Sequence, residues 1–111
     1  MNGEQALELL SDRASAAHAQ IQQDFKTINP VIGVNRGMRT IGIPADAMTI
    51  DCLVTDRRIL LVLHDELPDS VRLQYTMRND DPADEFKVVP LAELTESALY
   101  CWMRDYFSPK P

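Results

Sequence analysis

Apolar residues recur every three or four positions along the first quarter of the chain, which is the period of one face of an α-helix. The apolar stripe runs from Leu7 to Ile28, and Pro30 follows where a proline commonly lies just beyond a helix end. The pattern predicts a helix over residues 3–27. Alanines at the centre of the stripe would let a sheet or another helix approach closely.

Two apolar runs in the middle of the chain, residues 49–55 and 58–64, flank the dipeptide Asp56-Arg57 and predict a β-hairpin. A tight turn at this dipeptide sets the register of the two strands. Because side chains alternate along a strand, this register places three apolar pairs on one face, namely Val54 with Ile59, Cys52 with Leu61, and Ile50 with Leu63.

The second half of the chain contains two further strand patterns and a helix pattern. The segment VRLQYTMR, residues 71–78, alternates apolar and polar side chains and predicts a strand with one buried face. The segment EFKVV, residues 85–89, predicts a strand with Phe86 and Val88 directed inward, ended by Pro90. Helical spacing of apolar residues then predicts a helix over residues 91–107.

The glycine-punctuated residues 31–44 fit either a loose hairpin or an irregular loop, and both alternatives stay open. The connections between the other strands are short, which favours antiparallel pairing. The sequence therefore predicts a single α+β domain over residues 1–111. Its sheet is an antiparallel β-meander of four or more strands, with N-terminal and C-terminal helices packed on one face.

Composition narrows the classes of partner. The chain has 111 residues and a formal net charge of −6, and an acidic surface repels phosphate backbones, so we expect no nucleic-acid partner. The longest apolar run, residues 59–63, is far shorter than the ~20 residues that span a bilayer, so we expect no membrane partner. The first residues do not resemble a signal peptide, which predicts a cytoplasmic protein with Cys52 and Cys101 as reduced, structural thiols.

The polar residues after the second apolar run are the main catalytic candidates. In the predicted register His64 lies opposite Thr49 and diagonal to Asp51, so a carboxylate could tune the imidazole for acid–base chemistry. Glu66 shares the face of His64 and could join them. The alternative, which we favour, is that these residues have no catalytic role and that the strand simply ends in polar residues before a turn. No ligand spacing indicates a metal, and no motif indicates a cofactor.

Two arginines suggest a weaker candidate for anion binding. Arg36 and Arg39 lie among the glycines of residues 33–42, and backbone N–H groups of a glycine-rich loop can cradle an anion. The glycine spacing fits neither the dinucleotide fingerprint nor the nucleotide P-loop. Solvated arginines on a hairpin are the ordinary explanation.

An outward-facing trio, Leu53, Leu60 and Val62, is harder to explain. In the predicted register Leu53 and Leu60 are cross-strand partners on the face that should be polar, and Val62 is adjacent. An apolar patch on an exposed sheet face marks a contact surface. Residues 31–43 could cover the trio, or a second copy or another protein could bind it.

The sequence contains no convincing catalytic set but does contain surplus apolar surface. We therefore expect a small, non-enzymatic protein-interaction or regulatory module that forms a homodimer. The alternative is a small enzyme or anion-binding protein that uses His64 with Asp51 and Glu66.

Overall fold

The structure, a computed structural model, describes residues 2–25, 28–79 and 86–108. It confirms the α+β class: an N-terminal helix, an antiparallel sheet and a C-terminal helix. The elements follow one another along the chain as α1 (Gly3–Asp24), β1 (Pro30–Asn35), α2 (Gly37–Thr40), β2 (Ala45–Cys52), β3 (Arg57–His64), β4 (Ser70–Met77), β5 (Lys87–Pro90), a short 3₁₀ helix (Leu91–Glu93) and α3 (Glu96–Phe107).

The two long helices begin at side-chain caps. Asn2 and Gln5 form a reciprocal capping box at the start of α1, in which each side chain accepts from the other's backbone N–H. The Thr95 hydroxyl accepts from the N–H of Ala98 at the start of α3. The predicted final helix is thus two elements, because the chain leaves helical geometry at Leu94 before Thr95 starts α3.

The five strands lie in the order β1-β2-β3-β4-β5, and each pairs antiparallel with its neighbour in sequence. The predicted register of the β2–β3 hairpin is wrong by four residues: Ile50 lies opposite Ile59, where Val54 was expected. A four-residue turn, residues 53–56, replaces the tight turn, and Asp56 in it adopts a φ of 57°. Because four is an even number, the residues that remain in the two strands keep their predicted faces. The prediction is wrong for Val54, which was expected on the apolar face but lies in the turn and is 61% exposed.

The open question about residues 31–44 has a mixed answer. Residues 30–35 form an edge strand, since β1 pairs with β2 and Ile32 lies opposite Ile50. A single helical turn, α2, follows, and the chain then reaches β2 through Gly42, whose φ of 87° only glycine adopts at little cost.

The predicted faces of the last strand are wrong. Val71 lies opposite Val89, and Val89 is buried among core residues, while Val88 is exposed. The predicted start of this strand, Glu85, lies outside the described residues. The pattern misled because apolar residues occupy both alternating sets, and Pro90 fixes only where the strand ends.

The core lies between the sheet and the two long helices. One face of each central strand, the apolar stripe of α1 and the apolar side of α3 form a single buried cluster. Its fully buried members include Leu10, Ile21, Met48, Ile50, Ile59, Leu61, Leu99, Met103 and Phe107. In the described part of the chain, one face of the sheet is therefore covered by the two long helices. The other face has no long helix over it, and we call it the open face.

Candidate binding groove on the open sheet face

A concave groove of about 340 Å³ lies on the open face. Its floor comes from alternate residues of β2, β3 and β4, and its rims come from the α2 side and from the residue before β5. The lining residues are Asn35, Met38, Ala47, Thr49, Arg58, Leu60, Val62, Thr76 and Phe86.

Leu60 and Val62 form the apolar floor of the groove. They are two residues apart on β3, so both point to the open face, as their place in the pattern predicts. Leu60 is only 7% exposed, whereas Val62 is partly buried. Thr49 lies opposite Leu60, and Ala47 lies opposite Val62.

Leu53, the third member of the predicted trio, does not belong to the groove. It lies in the β2–β3 turn, beyond the end of β2, and is 46% exposed. The predicted pairing of Leu53 with Leu60 is wrong because it depended on the tight turn. The structure thus brings together two of the three residues.

The chain itself supplies part of the cover over this floor. Met38 of α2 and Asn35 of β1 line one side of the groove, so residues 31–43 act partly as the predicted self-cover. Phe86 lines the groove as well. The sequence pattern assigned Phe86 to the core, and nothing in it singled out Met38, because a lone methionine in a glycine-rich segment has no periodicity.

A charged group borders the apolar floor. Arg58 forms a two-pronged ion pair with Asp51, with Nε–Oδ1 at 2.7 Å and Nη2–Oδ2 at 3.0 Å. Arg78 adds a longer contact, 3.7 Å, from its Nε to the same carboxylate. These contacts balance the charge of Asp51, which is 9% exposed. The hydrogen bonds that Arg58 donates to Asp51 raise the pKa of Arg58.

The structure does not bring the predicted acid–base residues together. His64 lies opposite Ala45, at the far end of β2 from Asp51. Six residues of strand separate the two positions, which corresponds to about 20 Å. His64 Nδ1 instead accepts the backbone N–H of Glu66 at 3.2 Å, a local turn contact. Within the described ranges, no group of three His, Cys, Asp or Glu side chains is arranged to hold a metal ion.

The two candidate anion-binding arginines bind carboxylates of their own chain. Arg39 makes a two-pronged contact with Asp46, at 2.8 Å for both hydrogen bonds, and a second with Asp65, at 2.8 and 2.7 Å. Arg36 reaches Asp46 at 3.0 Å and the exposed Glu4 at 3.5 Å. We call Arg36, Arg39, Asp46 and Asp65 the arginine cluster.

The arginine cluster joins three segments of the chain near the start of α1. Asp46, at the start of β2, is 1% exposed, and the hydrogen bond from Arg39 holds its pKa below the usual range against the opposing effect of burial. Arg39 also lowers the pKa of Asp65, at the end of β3. The sequence pattern singled out Arg36 and Arg39 but gave no signal that their partners are Asp46 and Asp65, because the segments that carry these residues meet only through the folded sheet.

The two cysteines have different surroundings. Cys52 is fully buried on the helix-covered face, and Cys101 on α3 is partly buried; both are free thiols. Cys52 and His64 point to opposite faces of the sheet, so the structure does not juxtapose a thiol and an imidazole there. Among the helices that the structure describes, none has the length and apolar character needed to cross a bilayer.

Comparison of the chain with protein-family models, curated proteins and solved structures found no match. The groove and the charged groups around it are therefore interpreted from their own chemistry.

Proposed function

We propose that the protein is a non-enzymatic interaction or regulatory module that binds a protein partner through the open-face groove and acts as a homodimer. The observation that supports the groove as a contact surface is its apolar floor, Leu60 and Val62, on the sheet face that no long helix covers in the described ranges. Concave apolar sites with a few polar groups at the rim are typical binding sites.

The chemistry of the groove favours an apolar side chain as its occupant. Leu60, Val62, Met38 and Phe86 offer apolar contact from the floor and the rims. Thr49 and Thr76 add hydroxyl groups that can donate to or accept from a partner backbone. A buried apolar anchor surrounded by polar contacts is the usual energetic centre of a protein interface.

The enzyme or anion-binding alternative has less geometric support. His64 and Asp51 lie at opposite ends of a strand pair, and the arginine cluster places two arginines against carboxylates of the same chain. A nucleophile–base pair needs hydrogen-bond reach, and an anion site needs converging donors that the chain's own carboxylates do not occupy.

A peptide selection tests the groove. A phage-displayed library of random peptides, selected on the wild-type protein, should enrich peptides with an apolar anchor residue. Val62→Glu should weaken their binding at least about tenfold, because a carboxylate on the groove floor must be desolvated when the anchor enters. Calorimetry measures the dissociation constants, and circular dichroism confirms that the variant folds.

Leu53→Glu is the matched control. It also replaces an apolar residue by glutamate, but Leu53 lies in the β2–β3 turn, away from the groove. The selected peptides should bind this variant as they bind the wild type. No enrichment, or equal binding to Val62→Glu and the wild type, would contradict the groove as a contact surface.

A further inference from the structure

The outer edge of β1 is an unprotected strand edge. β1 is the terminal strand of the sheet, so among the described residues the backbone groups on its outer side have no strand partner. At one end of β1, a side chain from α1 contacts the strand backbone: His18 Nε2 lies 2.5 Å from the Pro30 carbonyl oxygen. Val31 and Val34 are each 46% exposed along this edge.

The opposite edge of the sheet differs in the features that usually prevent edge pairing. β5 has four residues, carries Lys87 and ends in Pro90, and short length, lysine and proline all discourage a further strand from adding. β1 has six residues, no charged side chain, and a proline only at its first position. An added strand is therefore accepted more readily at β1 than at β5.

The sequence of β1 is compatible with pairing to itself. Two antiparallel copies related by a two-fold axis midway between their Ile32 residues place Ile32 opposite Ile32 and Val34 opposite Pro30. On the other face, Val31 lies opposite Gly33, which leaves room for the valine methyls. This register brings no two charged side chains into opposition and gives both exposed valines a neighbour. The ladder hydrogen bonds would come from residues 31–33, because Pro30 has no N–H and its carbonyl already contacts His18.

We propose that β1 pairs antiparallel with β1 of a second copy, joining two five-stranded sheets into one continuous sheet. This inference rests on the homodimer part of the proposed function and does not depend on peptide binding at the groove. A two-fold axis perpendicular to the sheet keeps the two open faces on the same side. Asn35 of β1 lines the groove, so the dimer presents two grooves on one surface, which suits a bivalent partner.

Light scattering after size exclusion, from micromolar to millimolar protein, measures the dimer. The wild type should form a dimer, and Val31→Lys and Val34→Lys should each raise its dissociation constant at least about tenfold, since lysines on a strand edge oppose pairing. Val54→Lys is the matched control: Val54 is 61% exposed in the β2–β3 turn, and this variant should dimerise like the wild type.

Hydrogen exchange measured by NMR locates the interface independently of any variant. Residues along an antiparallel strand point their backbone groups alternately to one side and the other. The β1 amides directed away from β2 should exchange rapidly in dilute protein and become protected as the dimer forms.

Two results would overturn the proposal. One is a wild type that stays monomeric over the whole concentration range. The other is a dimer that does not use the β1 edge. Such a dimer would leave the outward β1 amides in rapid exchange, or would form equally well in both lysine variants. Peptide binding at the groove survives either result, so failure of the edge pairing is distinguishable from failure of the groove.

Discussion

Arg39 forms two-pronged contacts with two carboxylates, a role that the sequence pattern did not predict. Its guanidinium binds two carboxylates at once, and one of them, Asp46, is almost completely buried. A planar guanidinium suits such two-pronged contacts, which a lysine cannot reproduce. A buried carboxylate without its cation is strongly unfavourable, so the cluster constrains how α2 meets the sheet.

Removing Arg39 should therefore destabilise the fold more than removing Arg36. Arg39→Met leaves Asp46 buried with only one arginine and leaves Asp65 without its two-pronged partner. Arg36→Met removes one contact to Asp46 and one to Glu4, whose side chain is 77% exposed and whose ion pair contributes little. Urea unfolding at neutral pH measures both midpoints. Equal falls for the two variants would contradict this role for Arg39.

At the scale of elements, the start of α1 depends on the side chain of Asp65, which directly follows β3. A Cβ added at Gly3 would lie 2.0 Å from Oδ1 of Asp65, far closer than atoms can approach. Arg39 holds that carboxylate in place, so it is not a freely movable side-chain end. Close packing against Asp65 therefore explains the glycine at this position. Its place in a helix does not explain it, because glycine is unfavourable within helices.

Gly3→Ala should lower the free energy of unfolding by about 1–3 kcal/mol, the usual cost of an overpacked contact. The same substitution in an Asp65→Ala background should cost little or even stabilise, because the carboxylate is gone and alanine favours the helix. Urea unfolding of the four proteins gives the coupling energy between the two positions. An equal loss in both backgrounds would show that the contact is not the cause.

At the scale of the whole molecule, the acidic chain is stabilised by carboxylates that pair across elements. Arg39 lowers the pKa of Asp46 and Asp65, and a hydrogen bond from Tyr100 of α3 lowers the pKa of Asp24 in α1. A carboxylate with a lowered folded-state pKa contributes stability above its unfolded value of about 3.9, and loses it as the pH falls through the folded value.

The protein should therefore lose stability below about pH 4, as these carboxylates take up protons. Urea midpoints measured between neutral pH and pH 2 follow this loss. In Arg39→Met the urea midpoint should depend less steeply on pH in the acidic range, because Asp46 and Asp65 then titrate nearer the unfolded value. Arg72→Met, at an exposed position of β4, should keep the wild-type slope. An unchanged slope in Arg39→Met would contradict the assignment.

The alternation and helical spacing of apolar residues were sufficient to predict the α+β class, the two long helices and the faces of the residues paired in β2 and β3, because periodicity reports which side chains must leave water. In β4 the pattern was right for Val71 and Leu73, whereas Tyr75 and Met77 are 45% and 38% exposed. They did not decide the register. The two-residue and four-residue turns between β2 and β3 give the same apolar face, so the pattern could not distinguish them.

Only the tertiary structure decided which residues meet. The four-residue turn moved Leu53 off the sheet and separated Asp51 from His64, while the return of the chain through α2 and into β5 brought Met38 and Phe86 to the floor formed by Leu60 and Val62. It also assembled the arginine cluster from three segments, namely α2 with the residue before it, the start of β2, and the residue after β3. Local sequence patterns encode burial, but contacts between distant segments depend on loop geometry and packing, which have no period in the chain.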